Sequence, residues 1–173
     1  MYFFTSDEHL GHANIIKYCN RPFNSVQEMD AHLIQCHNRV VSKGDTVVHA
    51  GDFTLIKDFR KIKRNYIDKL NGNHIFLKGS HDYWLENDHL VIFQKTIKSQ
   101  FLVVCHYAMK TWHRSHYNSW QLHGHSHGTL KSEGKQLDIG VDNNNYYPFS
   151  FDDILIIMNT LKNNFNYTDR SKG

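Results

Sequence analysis

Cysteine is scarce in this sequence and never closely paired: Cys19, Cys36 and Cys105 lie far apart, are odd in number and form no C-x-x-C. That excludes a disulfide-stapled scaffold and a zinc ribbon, and it fits reduced thiols in a cytoplasmic protein. Long apolar runs are missing too; none approaches the roughly 18 residues of a membrane helix. The chain starts on Tyr2-Phe3-Phe4 with no basic segment before a long apolar stretch, so neither a leader nor a membrane partner is expected. Charge of one sign is not in excess either. Twenty Lys and Arg against 17 Asp and Glu leave a formal net charge of +3. That suits an anionic substrate but supplies no basic stripe for stable nucleic-acid binding. The basic run over residues 57–64 reads as the solvated side of an amphipathic helix. No Pro-, Ser- or Gly-rich linker and no internal repeat divides the chain. A single domain is expected over residues 1–161, followed by a polar, Asn-rich tail over residues 162–173 that should fray. The sequence does not speak to oligomeric state.

Histidine, by contrast, is abundant. Fourteen in 173 residues is roughly three to four times average usage, so their placement becomes the question. Five short runs rich in Val, Ile, Phe and Leu read as buried strands: residues 2–6, 46–50, 74–78, 101–105 and 119–123. Helical patterns lie between them. Ser25 and Glu28 form a capping box ahead of a stripe of Val26, Met29, Leu33 and Val40. Phe59, Ile62, Tyr66 and Leu70 give a second stripe, closed by Asn71-Gly72-Asn73. Ser150, with Asp153 three residues on, caps a helix whose buried positions are Ile154, Ile157, Met158 and Leu161. Strands alternating with helices predict an α/β fold with much parallel pairing.

Each of the five strands is followed at once by potential metal ligands. In chain order these are Asp7-Glu8-His9, Gly51-Asp52, Gly79-Ser80-His81-Asp82, His106, and Gly124-His125-Ser126-His127. Ligands of open α/β sheets bind outside the carboxyl ends of the strands, so all five clusters should converge on one crevice. Any one cluster alone is a weak sign, since Gly-Asp is usually a turn and a lone His usually packs. Five in succession, each at a strand end, are not accidental. Carboxylates mixed with imidazoles, with no thiolate nearby, suit Mn, Fe, Zn, Ni or Co and argue against a structural zinc site.

In this order, Asp7-x-His9, Gly51-Asp52, Gly79-x-His81-Asp82, His106 and Gly124-His125-x-His127 resemble the calcineurin-like metallophosphoesterase superfamily. The stretches 6–12, 18–23 and 140–142 look like its small stand-alone bacterial and phage branch. Phe53-Thr54-Leu55 after the second aspartate departs from the Asp-Arg-Gly of the protein-phosphatase branch. The resemblance implies a four-layer α/β/β/α sandwich and two divalent ions, Mn²⁺ foremost. One ion would take Asp7, His9, Asp52 and His127; the other would take Asp52 as a bridge, Ser80, His106 and His125. It further implies His81 as the general acid, with Asp82 orienting its imidazole. The family's third motif normally reads Gly-Asn-His-Asp. Ser80 replaces the Asn with a shorter and poorer neutral donor, which should weaken the second ion.

His12 and Asn14 follow the first ligand cluster, and Arg21 could reach a phosphate as a bidentate donor. His49 and His123 sit on strands beside ligands, where hydrogen bonding or packing is expected rather than coordination. Trp112, His113, Arg114 and Tyr117 could stack a base, although covering the core is the commoner use of such a loop. The expected activity is hydrolysis of a phosphoester, a phosphodiester by preference, in a nucleotide-type substrate such as a cyclic nucleotide, cyclic oligonucleotide or nucleotide pyrophosphate. The alternative is a catalytically weakened or inactive binding or scaffold protein on the same fold.

Overall fold

The computed structural model describes residues 1–169. Strand β1 (Tyr2–Thr5) leads into α1 (Ala13–Tyr18) and α2 (Val26–Val40), then β2 (Thr46–His49), α3 (Phe59–Asn65) and β3 (Asn73–Phe76). The second half contributes β4 (Ile92–Ile97), β5 (Gln100–Cys105), β6 (Trp120–His123), β7 (Gln136–Asp138), β8 (Phe149–Ser150) and α4 (Phe151–Thr160). One four-stranded sheet has the order β3-β2-β1-β8 and the other β4-β5-β6-β7. β1, β2 and β3 are mutually parallel, as are β5, β6 and β7, whereas β8 and β4 pair antiparallel at the edges.

Alternation along the strands decides the layers. Phe4 and Val48 of the first sheet and Leu102, Val104, Trp120 and Leu122 of the second share one core with Phe151, Ile154 and Met158 of α4. The opposite face of the first sheet is covered by α1, α2 and α3 through Ile15, Met29, Leu33 and Ile62. On the outer face of the second sheet Gln121 accepts the Met109 amide (3.0 Å) and donates to the Tyr107 carbonyl (2.9 Å). That face is therefore covered by the irregular segment after β5. The result is the expected α/β class, consistent with a sandwich of the metallophosphoesterase type. Among the described residues no helix is long and apolar enough to cross a membrane.

All five expected strands form, each within a residue or two of its expected bounds. The edge strands β4, β7 and β8 escaped the sequence because they are short or half exposed and carry no period-two signal. Ser25 caps α2 by accepting the Glu28 amide (3.1 Å), but the Glu28 carboxylate takes the Asn24 amide and not that of Ser25. The helix expected to run to Leu70 breaks at Tyr66 into a single 3-10 turn, Ile67–Lys69. Ser150 and Asp153 form the full capping box of α4.

The tail does not fray over its described part. Asn164 is buried; its Oδ1 accepts the Lys135 amide (2.7 Å) and its Nδ2 donates to the Ser115 and Ser119 carbonyls (2.9 and 3.0 Å). A polar side chain that satisfies three backbone groups anchors as firmly as an apolar one. Residues 170–173 of the expected tail lie outside the described residues.

Candidate metal centre

The ligand loops are locked together by backbone bonds. The Asp7 amide donates to the Gly51 carbonyl (3.1 Å), the His9 amide to Asp52 (3.0 Å) and the Gly124 amide to His106 (3.0 Å). Side chains then cross between loops. The Asp7 carboxylate accepts the His125 amide (2.9 Å), and the Asp52 carboxylate accepts the His81 amide (2.8 Å). Gly51 and Gly124 are demanded by this closeness. A Cβ on Gly51 (φ +101°) would stand 2.7 Å from both Gly79 Cα and His106 Nδ1; one on Gly124 would stand 2.0 Å from Ser6 Oγ.

Five of the expected ligands hold left-handed backbone: Asp7 (φ 59°), His9 (52°), Asp52 (56°), His125 (69°) and His127 (46°). Each such residue costs on the order of 1–3 kcal/mol, and such strain collects where side chains must be aimed. The aim succeeds. The ligand atoms of Asp7, His9 and His127 fall within 4.8 Å of one another, and so do those of Asp52, His106 and His125. The sets that the resemblance implies contain these groups, with Asp52 added to the first and Ser80 to the second. Asp52 lies between them, its Oδ2 3.8 Å from His9 Nε2 and 3.4 Å from His106 Nε2.

The donors fit divalent ions. His106 Nδ1 donates to the Ala50 carbonyl (3.1 Å), which leaves Nε2 as the lone-pair nitrogen; that buried atom has no hydrogen-bond partner. His127 Nδ1 donates to the Asp142 carboxylate (2.7 Å), so its Nε2 is likewise free to coordinate. Neither ring nitrogen of buried His9 has a hydrogen-bond partner. Buried polar atoms without partners are costly, and a cation at each group would supply them. Electrostatics agree. Burial pushes the Asp7 carboxyl up to about 7 and the His9 imidazole down to about 3. Burial also works against the Asp52 carboxylate, but contact with His106, the charge on that ring and the His81 amide outweigh it and hold Asp52 below the usual carboxylate range. Without a cation, Asp7 is a carboxylate that cannot easily ionise.

Ser80 lies beside the second group, its Oγ donating to Asp52 Oδ2 (3.0 Å). His81 faces the same cleft with its side chain 41% exposed. The floor of this cleft, about 810 Å³ in volume, carries His9, His12, Asp52, His81, His125 and His127; its walls are Ile15, Tyr18, Leu55, Thr129 and Leu130.

Three sequence expectations are corrected. Arg21 is buried and spent. Its Nε and Nη2 grip both oxygens of Asp142 (2.8 Å each), while Nη2 and Nη1 donate to the Asp7 and Glu8 carbonyls (2.7 and 3.0 Å). No donor remains for a phosphate, so Arg21 positions the first ligand loop and the carboxylate that holds His127. Asp82 makes no bond to the His81 ring. Buried, it accepts the amides of Asp52 (2.6 Å), Phe53 (3.0 Å) and Gly79 (2.9 Å) and the Trp84 indole (3.1 Å), and so clamps two ligand loops together. Asn14 is exposed and turned away from the cleft, whereas His12 lines it.

His49 bonds to Glu8 and His123 to the Gly124 carbonyl, so neither reaches the metal groups. Trp112 is buried and donates to the Ser119 carbonyl (3.1 Å), and Arg114 lies over the Phe101 ring, both away from the cleft. Asp142 and Tyr18 were not singled out from the sequence. For Tyr18 a signal existed: positions 12, 15 and 18 recur at the spacing of one helix face. For Asp142 there was none beyond its place in Gly140-Val141-Asp142.

No family model matches the chain. The fold is similar to that of a protein of unknown function, AQ665 from Aquifex aeolicus, with a TM-score of 0.68 and 24% identity over 91% of this chain and 98% of that one. A looser likeness, with a TM-score of 0.41 and 16% identity over 80% and 70% of the two chains, is to an uncharacterized protein of Streptococcus pneumoniae described as a predicted phosphoesterase. In sequence the chain is 34% identical over 154 residues, 85% of each chain, to the uncharacterized protein MJ1445 of Methanocaldococcus jannaschii. Similarity of that extent places the chain in one family with MJ1445, and it belongs to that family.

Proposed function

We propose that the protein is a metallophosphoesterase of the calcineurin-like kind, a dinuclear metal-dependent hydrolase that acts on a phosphodiester in a nucleotide-type substrate. The observation that carries this reading is the pair of ligand groups flanking Asp52 at the floor of one open cleft. Asp7, His9 and His127 would hold one ion and His106 and His125 the other, with Asp52 shared and Ser80 a weak further donor. Two divalent ions there supply Lewis acidity that lowers the pKa of a water and neutralises phosphoryl charge. Mn²⁺ is the first ion to test; Fe, Zn, Ni and Co suit the same mixed donors.

The remaining chemistry falls to the chain itself. His81 is the exposed imidazole beside Asp52 and gives the leaving oxygen its proton. His12 lines the cleft, where its imidazole would meet a phosphoryl oxygen. Arg21, Asp82 and Asp142 hold the ligand loops in place.

The test pairs metal analysis with turnover of bis(p-nitrophenyl) phosphate. Two ions per chain, loss of turnover on chelation and recovery with Mn²⁺ are expected; undiminished hydrolysis by metal-free protein would overturn the reading. His81→Gln should lower kcat by roughly 10²–10⁴-fold at unchanged metal content, with a smaller loss for the nitrophenolate leaving group than for an alkoxide. Metal uptake without turnover of any ester would instead favour a binding protein on the same fold, for which Ser80 in place of an amide donor is the one supporting feature.

A further inference from the structure

The cleft above the ligand groups is unusual for a site that handles phosphate, because among the described residues no Lys or Arg lines it. Arg21 is fully used by Asp142, two carbonyls and the Met29 sulfur. Lys17 is exposed on α1 and does not line the cleft, and Lys57 lies 5.3 Å from the centre of the Tyr83 ring. In place of cations the walls carry Ile15, Leu55, Leu130 and the ring of Tyr18, a residue 72% exposed. An aromatic residue left that open beside a cleft, with its ring edge-on to His12 at 6.3 Å, gives a flat group something to stack on.

Charge points the same way. With no Lys or Arg among the described lining residues and Arg21 already engaged with Asp142, no cationic side chain of the cleft is offered to the second negative charge of a monoester.

We infer that the cleft selects singly charged phosphodiesters bearing an aromatic substituent, and that Tyr18 is the residue that reads that substituent. The inference rests on the phosphoesterase reading and deepens it. Tyr18 supplies stacking area, Leu130 and Ile15 supply apolar contact, and the missing cations withhold affinity from doubly charged esters. A stacked ring contributes about 5- to 100-fold in affinity by the scale of base–aromatic stacking.

The experiment measures calorimetric affinity of the Mn²⁺-loaded protein for three slowly reacting probes: diphenyl phosphate, dimethyl phosphate and phenyl phosphate. It is run on the wild type, Tyr18→Ala and Tyr18→Phe. Because Cys19 lines the same cleft while Cys36 and Cys105 are buried, the rate of Cys19 alkylation by iodoacetamide reports occupancy without turnover. Diphenyl phosphate should bind the wild type most tightly and slow Cys19 alkylation. Tyr18→Ala should weaken it about 5- to 100-fold while leaving dimethyl phosphate unchanged, and Tyr18→Phe should retain the wild-type affinity. Equal affinity of diphenyl phosphate for wild type and Tyr18→Ala, or phenyl phosphate bound as tightly as diphenyl phosphate, would overturn the inference. Failure of the phosphoesterase reading looks different: no retained Mn²⁺ and no hydrolysis of bis(p-nitrophenyl) phosphate by the wild type. Hydrolysis of mono- and diester with equal efficiency would sink the selectivity alone.

Discussion

Two groups of histidines in this molecule are built on opposite principles. At the cleft, His9, His106, His125 and His127 point ring nitrogens at shared points, and several of those nitrogens have no protein partner. Beneath α2, on the outer face of the first sheet, His37, His49 and His74 are buried or half-buried against one another. Glu8 Oε1 lies 2.5 Å from His49 Nδ1, His49 Nε2 lies 3.0 Å from His74 Nδ1, and His37 Nε2 donates to the Asn71 carbonyl (2.8 Å). Burial favours the neutral forms here: Glu8 is pushed up to about 7, His49 down to about 3, and His37 and His74 down to about 4. One group aims its lone pairs at shared points in an open cleft; the other is a hydrogen-bonded chain inside a core, left without partners at its ends, Glu8 Oε2 and His74 Nε2. The difference is set by backbone. His9, His125 and His127 are left-handed in loops past the strand ends and His106 directly follows β5, whereas His49 and His74 sit in regular strands and His37 in a helix.

The sharpest way to break the comparison is Asp7→Asn. Metal content and turnover should fall to background, because a neutral amide cannot replace a carboxylate that becomes ionised on binding. Yet the metal-free variant should melt no lower than the metal-free wild type at pH 8. With a folded pKa raised above its unfolded value of about 3.8, ionised Asp7 destabilises the folded state increasingly as pH climbs from 4 to 7, and Asn removes that cost. A melting temperature well below the metal-free wild type would mean that Asp7 is structural.

His49→Ala should do the reverse. Removing the central ring strands Glu8 and His74, at about 1–3 kcal/mol for each unpaired buried group, read as a lower denaturant midpoint. Metal stoichiometry should stay at the wild-type value, and a loss of metal would join the two groups into one network. Asp142→Asn tests the support of the cleft from behind. Loss of the carboxylate that orients His127 should weaken binding of one ion roughly 10–100-fold while the other holds, measured by metal titration.

Acid should separate the groups further. In metal-free protein His9, His37, His49 and His74 are held neutral by burial, so between pH 6.5 and about 4 the unfolded chain binds more protons than the folded one at these sites. Their stabilising contribution is complete above pH 6.5 and is lost as pH falls through that window. Asp7 and Glu8 act with the opposite sign, as do the more weakly raised Asp30, Asp82, His106 and His127, but the four strongly lowered imidazoles outweigh them. The melting temperature should therefore drop from pH 6.5 to 4.5, and a flat profile would contradict the assignment. The smallest change expected is Ser80→Asn. An amide oxygen in place of a hydroxyl should raise occupancy of the second ion at low Mn²⁺ and change little at saturation. Identical titrations would show that position 80 does not face the ions.

Much of the centre was legible in the sequence because its ligands follow their strands directly. The pattern marked a cluster of potential ligands just past each buried strand, and the family resemblance singled out Asp7, His9, Asp52, His106, His125 and His127 within them. Arg21 and Asp82 were misread for a related reason. Their motifs place them near the site, but a charged side chain takes the partners that folding brings to it. For Arg21 that partner, Asp142, is 121 residues away. For Asp82 it is a set of amides on a neighbouring loop, closer than the imidazole next to it in sequence.

Strand periodicity, helix caps and the order of the motifs determined the α/β class and the candidate ligand clusters, since these depend on residues close together along the chain. Only the tertiary structure decided which histidines face the cleft and which face each other, that the cleft carries Tyr18 and, among the described residues, no free cationic side chain, and that part of the polar tail docks. Those outcomes depend on which distant groups meet once the two sheets close, and burial then sets the charge each group can hold.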